Sequence, residues 1–164
     1  MRLVLDTLVA LMLAAILVGL VFHTRTDRDE DQLRENTRLE LIRFQQQISL
    51  QSALAKVERT ERGYPITVDP GWFQGNLPVN SLLGPEHPWV EIASPEQKDL
   101  LHPQERVASH KGLAKFWYNP WLGVVRARVP VGMSDGASLD LYNYVNDASL
   151  PDLFADGTAK NKAR

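Results

Sequence analysis

The chain has 164 residues, enough for one small domain and one extra element but not for two independent domains. Its 18 basic and 20 acidic residues give a net charge of −2, and this balance creates no overall positive field. We therefore expect no nucleic-acid partner. Cysteine is absent from the sequence, which excludes disulfides, thiolate metal sites and cysteine nucleophiles.

Residues 1–23 predict a membrane-spanning helix. Residues 3–22 carry Asp6 as their only charge, and a helix of this length spans about 30 Å, the thickness of a bilayer hydrocarbon core. A cleaved signal peptide would have an apolar region of roughly 7–15 residues and a small-residue cleavage site. Residues 18–23 contain no Ala-x-Ala, so we expect an uncleaved anchor. The charges on its flanks leave the orientation open, because large domains translocate largely regardless of charge.

Residues 24–62 predict an amphipathic continuation of this helix. No proline precedes Pro65 and Gly19 is the only glycine before Gly63, so we expect the helix to end at Arg62 with Gly63 as its stop signal. Two apolar stripes lie on roughly opposite sides. We expect one to pack on the protein's own sheet and the other to form a protein interface. The first stripe comprises Leu33, Thr37, Leu41, Phe44, Ile48 and Ala55, and the second, which is the candidate interface, comprises Leu39, Ile42, Leu50, Ala53 and Val57. The sequence leaves open which of the two stripes meets the sheet, so the reverse assignment stays an alternative.

Residues 63–155 predict a small α+β domain, because proline and glycine divide this part into short segments. A short strand is expected at 88–93, a hairpin at 114–129 and a short helix at 138–146. Residues 156–164 form a polar tail that we expect to be disordered. The predicted fold class is α+β, with a long N-terminal helix packed on a small antiparallel β-sheet.

Two segments carry a resemblance to a known family. Arg62-Gly-Tyr-Pro65 follows the long helix, and Phe116-Trp-Tyr-Asn-Pro-Trp-Leu-Gly-Val-Val-Arg-Ala127 forms the hairpin. The second segment is similar to the Trp-x-Tyr-Asn-Pro-x-x-Gly-x-Val-Arg-Ala hairpin of type II secretion major pseudopilins, and the whole arrangement resembles a type IV pilin. Residues 1–6 contain no glycine and so show no recognisable prepilin leader, which leaves prepilin-peptidase processing and N-methylation open.

The resemblance implies a pilin-like fold and a structural function without enzymatic activity or a cofactor. The expected protein is a single-pass subunit of the inner membrane, with its C-terminal domain outside the cytoplasm. It would associate with copies of itself and with other envelope or secretion proteins. The runner-up is a single-pass envelope protein whose domain binds a ligand or scaffolds a complex without polymerising.

Two single residues are candidates for assembly in addition to the second stripe. Asp6 is placed to pair with the N-terminal amine or with Arg2 of a neighbouring subunit, although a position at the membrane interface explains it equally simply. Trp121 occupies the predicted hairpin turn, so we expect it to be exposed and to meet a partner. The other aromatic side chains are expected to fill the core.

An anchored metal-dependent hydrolase is a distant alternative. Three histidines and two glutamates lie in one loop-rich stretch, but no His-x-x-x-His or His-Glu-x-x-His pair exists. We therefore interpret the histidines as exposed loop residues. Calcium binding occurs in some major pseudopilins, but the C-terminal aspartates match no ligand spacing, so no metal is expected. The residues concerned are Glu86, His87, His102, Glu105 and His110 for the hydrolase, and Asp147, Asp152 and Asp156 for calcium.

Overall fold

The computed structural model describes the backbone of residues 2–154 and the side chains of Met12 and of residues 28–154. The chain divides into two compact units, Met1–Leu33 and Arg34–Arg164. The first unit is helical throughout its described part, and the helix, α1, extends over Arg2–Leu54. The predicted span over 1–23 falls almost entirely on side chains that are not described, as does Asp6, and the tail over 156–164 lies outside the described residues. Within the described part of the chain, no helix is long and apolar enough to cross a membrane.

Helix α1 ends at Leu54, so the expected continuation to Arg62 is wrong. Ala55 adopts the left-handed conformation with φ +55°, and its N–H still donates to the Gln51 carbonyl at 3.3 Å. A left-handed residue at this place terminates a helix, although glycine is its usual occupant. The absence of glycine and proline between Gly19 and Gly63 therefore permitted a longer helix without requiring one.

The segment after α1 forms a tight turn against the rest of the domain. The Thr60 N–H donates to the Tyr64 carbonyl at 2.8 Å, and the Gly63 N–H donates to the Thr60 carbonyl at 2.8 Å. Gly63 has φ +86°, so it supplies the turn rather than the end of a helix. The Thr60 hydroxyl also donates to the Pro120 carbonyl at 3.2 Å. These bonds replace the helical bonds that residues 56–62 would otherwise make.

The sheet has three strands in the order β1 (Val90–Ile92), β2 (Phe116–Asn119) and β3 (Val124–Ala127). β2 and β3 form the expected antiparallel hairpin, with Asn119 opposite Val124. β1 pairs parallel with β2, so the prediction of an antiparallel sheet is wrong for this strand. A parallel pair needs a long crossover, and residues 93–115 provide it. The fold is therefore α+β with a long N-terminal helix and a mixed sheet.

A second helix, α2, extends over Asp135–Asn146 and begins earlier than the predicted 138–146. Its start is set by Ser134, whose hydroxyl accepts a hydrogen bond from the Ala137 N–H at 3.1 Å. Two single turns of 3-10 helix lie at Pro70–Phe73 and Pro95–Gln97.

The main core lies between α1 and one face of the sheet. Phe44 is completely buried and contacts three aromatic rings with centroid separations of 5.3–5.4 Å. Because aromatic contacts of this kind add to the area that is buried, Phe44 is the centre of the packing. The rings around it belong to Phe73, Trp89 and Phe116, and Leu41 and Ile48 of α1 are buried beside them.

The free edge of β3 is closed by two side-chain amides. The Gln45 amide of α1 donates to the Gly123 carbonyl at 2.7 Å and accepts from the Val125 N–H at 2.9 Å. The Asn146 amide of α2 donates to the Ala127 carbonyl at 2.9 Å and accepts from its N–H at 2.8 Å. These amides take the place of a further strand and fix both helices to the sheet.

Candidate functional site

The outward face of α1 carries a row of exposed apolar side chains within the second unit. Leu39, Ile42, Leu50 and Leu54, which we call the helix stripe, are each between 44% and 54% exposed. Their spacing of three, eight and four residues places them on one side of the helix, opposite the buried Leu41, Phe44 and Ile48. The expectation that one apolar face is buried by the protein itself and the other is left outward is confirmed for this part of α1.

The ends of both predicted stripes differ from the expectation. Val57 lies beyond the end of α1 and is half-buried, so it does not belong to the helix stripe, and Leu54 takes its place. Leu33 is exposed rather than buried, and Ala55 is exposed because it terminates the helix. The left-handed Ala55 explains these shifts at the C-terminal end, since it stops the helical periodicity before Val57.

The stripe is flanked by few charges. Residues 41–57 contain no acidic side chain and two basic ones, Arg43 and Lys56. Arg43 is half-buried and bonds to Glu40 at 2.9 Å, whereas Lys56 is exposed. This section of α1 therefore presents an apolar surface, and the exposed charges of Lys56 and Glu58 follow the end of the helix.

A second apolar surface lies at the N-terminal end of α2. It is a cavity of about 520 Å³, which we call the loop groove, between residues 104–109, the segment 131–138 and residues 153–154. Met133 is 103% exposed and Phe154 is 82% exposed at its walls, and Val131 is also exposed. Glu105 and Asp135 are exposed at the same groove.

Sequence reasoning missed the loop groove. Its apolar residues are isolated in loops and at the start of a helix, so they show neither the helical nor the strand period. The only local signal was the Val131-Gly-Met133 segment directly before the capping Ser134. Arg106 also borders the groove, but it is buried and donates to the Leu153 carbonyl.

Trp121 lies at the hairpin turn but is half-buried rather than exposed as expected. It borders a cavity of about 560 Å³ whose charged lining residues are both basic and acidic: Arg59, Arg62 and Lys98, and Glu61 and Asp99. Residues of the turn 59–66 line the same cavity, and the turn is bonded to the hairpin through the Thr60 hydroxyl and the Pro120 carbonyl. None of the helix-stripe residues lines this cavity.

The two segments that carry the family resemblance contact each other. The Tyr118 hydroxyl donates to the Pro65 carbonyl at 2.8 Å. Gly123 has φ +65°, and a Cβ atom built on it would lie 2.3 Å from the Tyr64 ring. Glycine is therefore required at this position by both conformation and space. Asn119 donates to the Leu100 carbonyl at 2.8 Å, so these motif residues have structural roles.

The three histidines of the hydrolase alternative do not form a common site. His87 is bound through Nδ1 to the Leu113 carbonyl at 2.9 Å, and His110 is exposed, with its Nδ1 accepting from the Gly112 N–H at 3.2 Å. Exposure was expected for all three, and only His110 is exposed. In the part of the chain that the structure describes, no group of three or more His, Cys, Asp or Glu side chains could hold a metal ion.

His102 is buried beside α2. Its Nδ1 lies 3.0 Å from the Tyr142 hydroxyl oxygen. Burial, followed by the positive charges of Arg126 and Arg106, lowers the pKa of His102 to about 3. Burial likewise raises the pKa of Tyr142 above its ordinary value. His102 is therefore neutral at neutral pH, and its contact with the Tyr142 hydroxyl gives it a structural role.

The predicted C-terminal aspartates also have local roles. Asp147 terminates α2 in the left-handed conformation with φ +48°. The Asp152 carboxylate accepts from the Phe154 N–H at 2.8 Å. Asp156 lies outside the described residues.

Comparison of the chain with family models, with curated proteins and with solved structures finds no match. The site must therefore be judged from its own chemistry. The helix stripe and the loop groove are apolar surfaces suited to binding another macromolecule.

Proposed function

We propose that this chain is a pseudopilin-like structural subunit, anchored in the inner membrane, of a secretion or pilus-type envelope machine. It acts through protein contacts made by the outward face of α1. The apolar segment over residues 3–22 supports the anchor. The hydrogen bond between Tyr118 and Pro65, which joins the two motif segments, supports the resemblance.

The helix stripe is the observation that carries the proposal. Four large aliphatic side chains on one helix face are each about half exposed while the opposite face is buried. Covering them would contribute roughly 4 kcal/mol before the costs of association, at about 2 kcal/mol for a fully buried aliphatic side chain. Monomeric proteins seldom leave an apolar row of this kind uncovered.

Sedimentation velocity of the purified full chain in a mild detergent tests the proposal. We expect the wild-type chain to self-associate and the Ile42→Glu/Leu50→Glu variant to be monomeric. Thr67→Glu/Ser149→Glu is the matched control, because it adds the same two charges at exposed polar positions. If the Ile42→Glu/Leu50→Glu variant associates as strongly as the control, the helix stripe is not the contact surface and the proposal is wrong.

The anchor is tested separately. We expect the intact mass of the mature protein to show that residues 3–22 are retained. We also expect added protease to digest the C-terminal domain in spheroplasts. A mature N-terminus near residue 24, or a domain protected from protease, would contradict the proposed location.

The second candidate is a single-pass envelope protein that binds a ligand or scaffolds a complex without polymerising. The cavity of about 560 Å³ beside Trp121 favours it, because a lining that combines an aromatic ring with three basic and two acidic side chains is suited to a polar ligand. A full chain that remains monomeric at every concentration would favour this candidate over the first.

A further inference from the structure

We propose that the helix stripe of one copy binds in the loop groove of the next copy, so that the chain assembles head to tail. The inference rests on the proposed function and specifies the partner surface. Both surfaces belong to the second unit, and they are formed by different residues: Leu39, Ile42, Leu50 and Leu54 on the helix, and Val131, Met133 and Phe154 at the groove.

The two surfaces have complementary shapes. The stripe is a convex row that extends for about 22 Å along α1, from Leu39 to Leu54. The groove is a concave cavity of about 520 Å³, which has room for several aliphatic side chains of a neighbouring helix. Insertion of an amphipathic helix face into an apolar groove is a common mode of protein recognition.

The charges are complementary as well. Two exposed carboxylates, Glu105 and Asp135, lie at the groove. Along residues 39–59 the basic side chains of Arg43, Lys56 and Arg59 outnumber the acidic ones of Glu40 and Glu58, and Glu40 is bonded to Arg43 at 2.9 Å. This excess of one positive charge favours approach to an acidic groove, and the exposed Lys56, two residues after Leu54, can pair with one of its carboxylates.

A symmetric contact between two helix stripes would cover only one of the two surfaces. Met133 and Phe154 would then remain almost fully exposed. A stripe-to-groove contact covers both, because each copy offers its stripe to one neighbour and its groove to another. Such a heterologous contact continues from copy to copy unless the rotation closes a ring.

Complementation between two variants of the full chain tests the inference. The stripe variant is Ile42→Glu/Leu50→Glu, and the groove variant is Met133→Glu/Phe154→Glu. We expect each alone to lose self-association by at least about tenfold, which corresponds to about 1.4 kcal/mol. An equimolar mixture should restore association, but only as one-to-one dimers, since each pair retains one intact stripe and one intact groove.

The possible failures are distinguishable. If the stripe variant loses association while the groove variant behaves as wild type, the stripe binds another surface: the proposed function stands and the head-to-tail inference is wrong. A mixture that remains monomeric when both variants alone are monomeric also overturns the inference. If the stripe variant associates as wild type does, the proposed function itself fails.

Single cysteine substitutions test the same contact with less risk of unfolding the chain than the double glutamate variants. Because the chain has no cysteine, Leu50→Cys in one preparation and Met133→Cys in another are unique thiols. With copper–phenanthroline and dissolved oxygen as the oxidant, we expect the mixture to form the mixed disulfide at least about tenfold faster than a mixture of Leu50→Cys with Ser149→Cys. Equal rates in the two mixtures would contradict the inference.

Discussion

The two faces of α1 within residues 34–54 are similarly apolar but have different surroundings. Phe44 and Ile48 are completely buried against the sheet, whereas Ile42 and Leu50 are about half exposed. Hydrophobicity alone therefore does not decide which face the domain covers. The difference lies in specific partners, because three aromatic rings surround Phe44.

The three consecutive glutamines of α1 show the same contrast at the level of polar groups. Gln45 bonds to two backbone groups of the β3 edge, and Gln47 donates to the Trp72 carbonyl at 3.2 Å. Gln46 is exposed on the side of the helix stripe. The bonds of Gln45 and Gln47 fix the rotation of α1 on the domain, and this rotation directs the helix stripe outward.

The largest expected effect comes from Phe44. We predict that Phe44→Ala lowers the free energy of unfolding by about 3–5 kcal/mol, because it removes a buried ring and leaves a cavity. Ile42→Ala should lower it by less than about 1 kcal/mol. Denaturant unfolding of the full chain, followed by near-UV circular dichroism, measures both changes. If the two variants lost equal amounts of unfolding free energy, the helix stripe would be buried within one chain. The two faces of α1 would then not differ in their surroundings.

The second prediction concerns acid. Because the pKa of His102 is about 3 in the folded chain, the unfolded chain binds a proton near pH 6.5 that the folded chain does not. Stability should therefore fall as the pH decreases from about 6.5 toward 3, by at most about 1.4 kcal/mol per pH unit for this group.

Residues 34–54, which include the helix stripe, contain no histidine. The pH dependence of stability that His102 causes therefore reports on the buried part of the domain and not on the stripe. Unfolding at pH 7 and pH 5 should show a smaller difference for His102→Gln than for wild type. Identical differences would show that His102 titrates normally in the folded chain.

The third prediction compares neighbouring glutamines. Gln45→Ala should cost about 1 kcal/mol, because the Gly123 carbonyl and the Val125 N–H lose their partner. Gln46→Ala, at an exposed position, should change stability by less than about 0.5 kcal/mol. Thermal unfolding of the two variants is the check, and a cost at position 46 that matches position 45 would show that the helix is rotated differently.

The smallest expected effect is at Ala55. Its φ of +55° is unfavourable for a residue with a Cβ atom, so Ala55→Gly should be stabilising by about 0.5–1 kcal/mol. If α1 instead continued toward Arg62, glycine at this position would be destabilising by about 1 kcal/mol. The sign of the change in thermal stability therefore shows where the helix stripe ends.

Much of the domain followed from local sequence signals. The hairpin was predictable because Pro120 and Gly123 flank a turn between alternating runs, and the opposite apolar faces of α1 were predictable from their helical spacing. The end of α1 was not, because Ala55 adopts a conformation that its residue type disfavours.

Features that depend on distant partners were not predictable. The parallel pairing of β1 depends on how residues 93–115 return the chain, and the hydrogen bond of His102 depends on Tyr142 from another element. Met133 precedes helix α2 in the chain and Phe154 follows it, yet both line the loop groove. No spacing in the sequence indicates that these two residues lie close together.

The central claim is that the outward face of α1 is a contact surface between protein chains. Because the sequence contains no cysteine, single thiols can report it directly in the full chain. Leu39→Cys, Ile42→Cys and Leu50→Cys can be compared with Thr67→Cys and Ser149→Cys at exposed control positions, using a short bis-thiol crosslinker at increasing protein concentration. The account predicts crosslinked oligomers from the three stripe positions and monomers from the two controls. Equal crosslinking at all five positions, or none at the stripe, would contradict it.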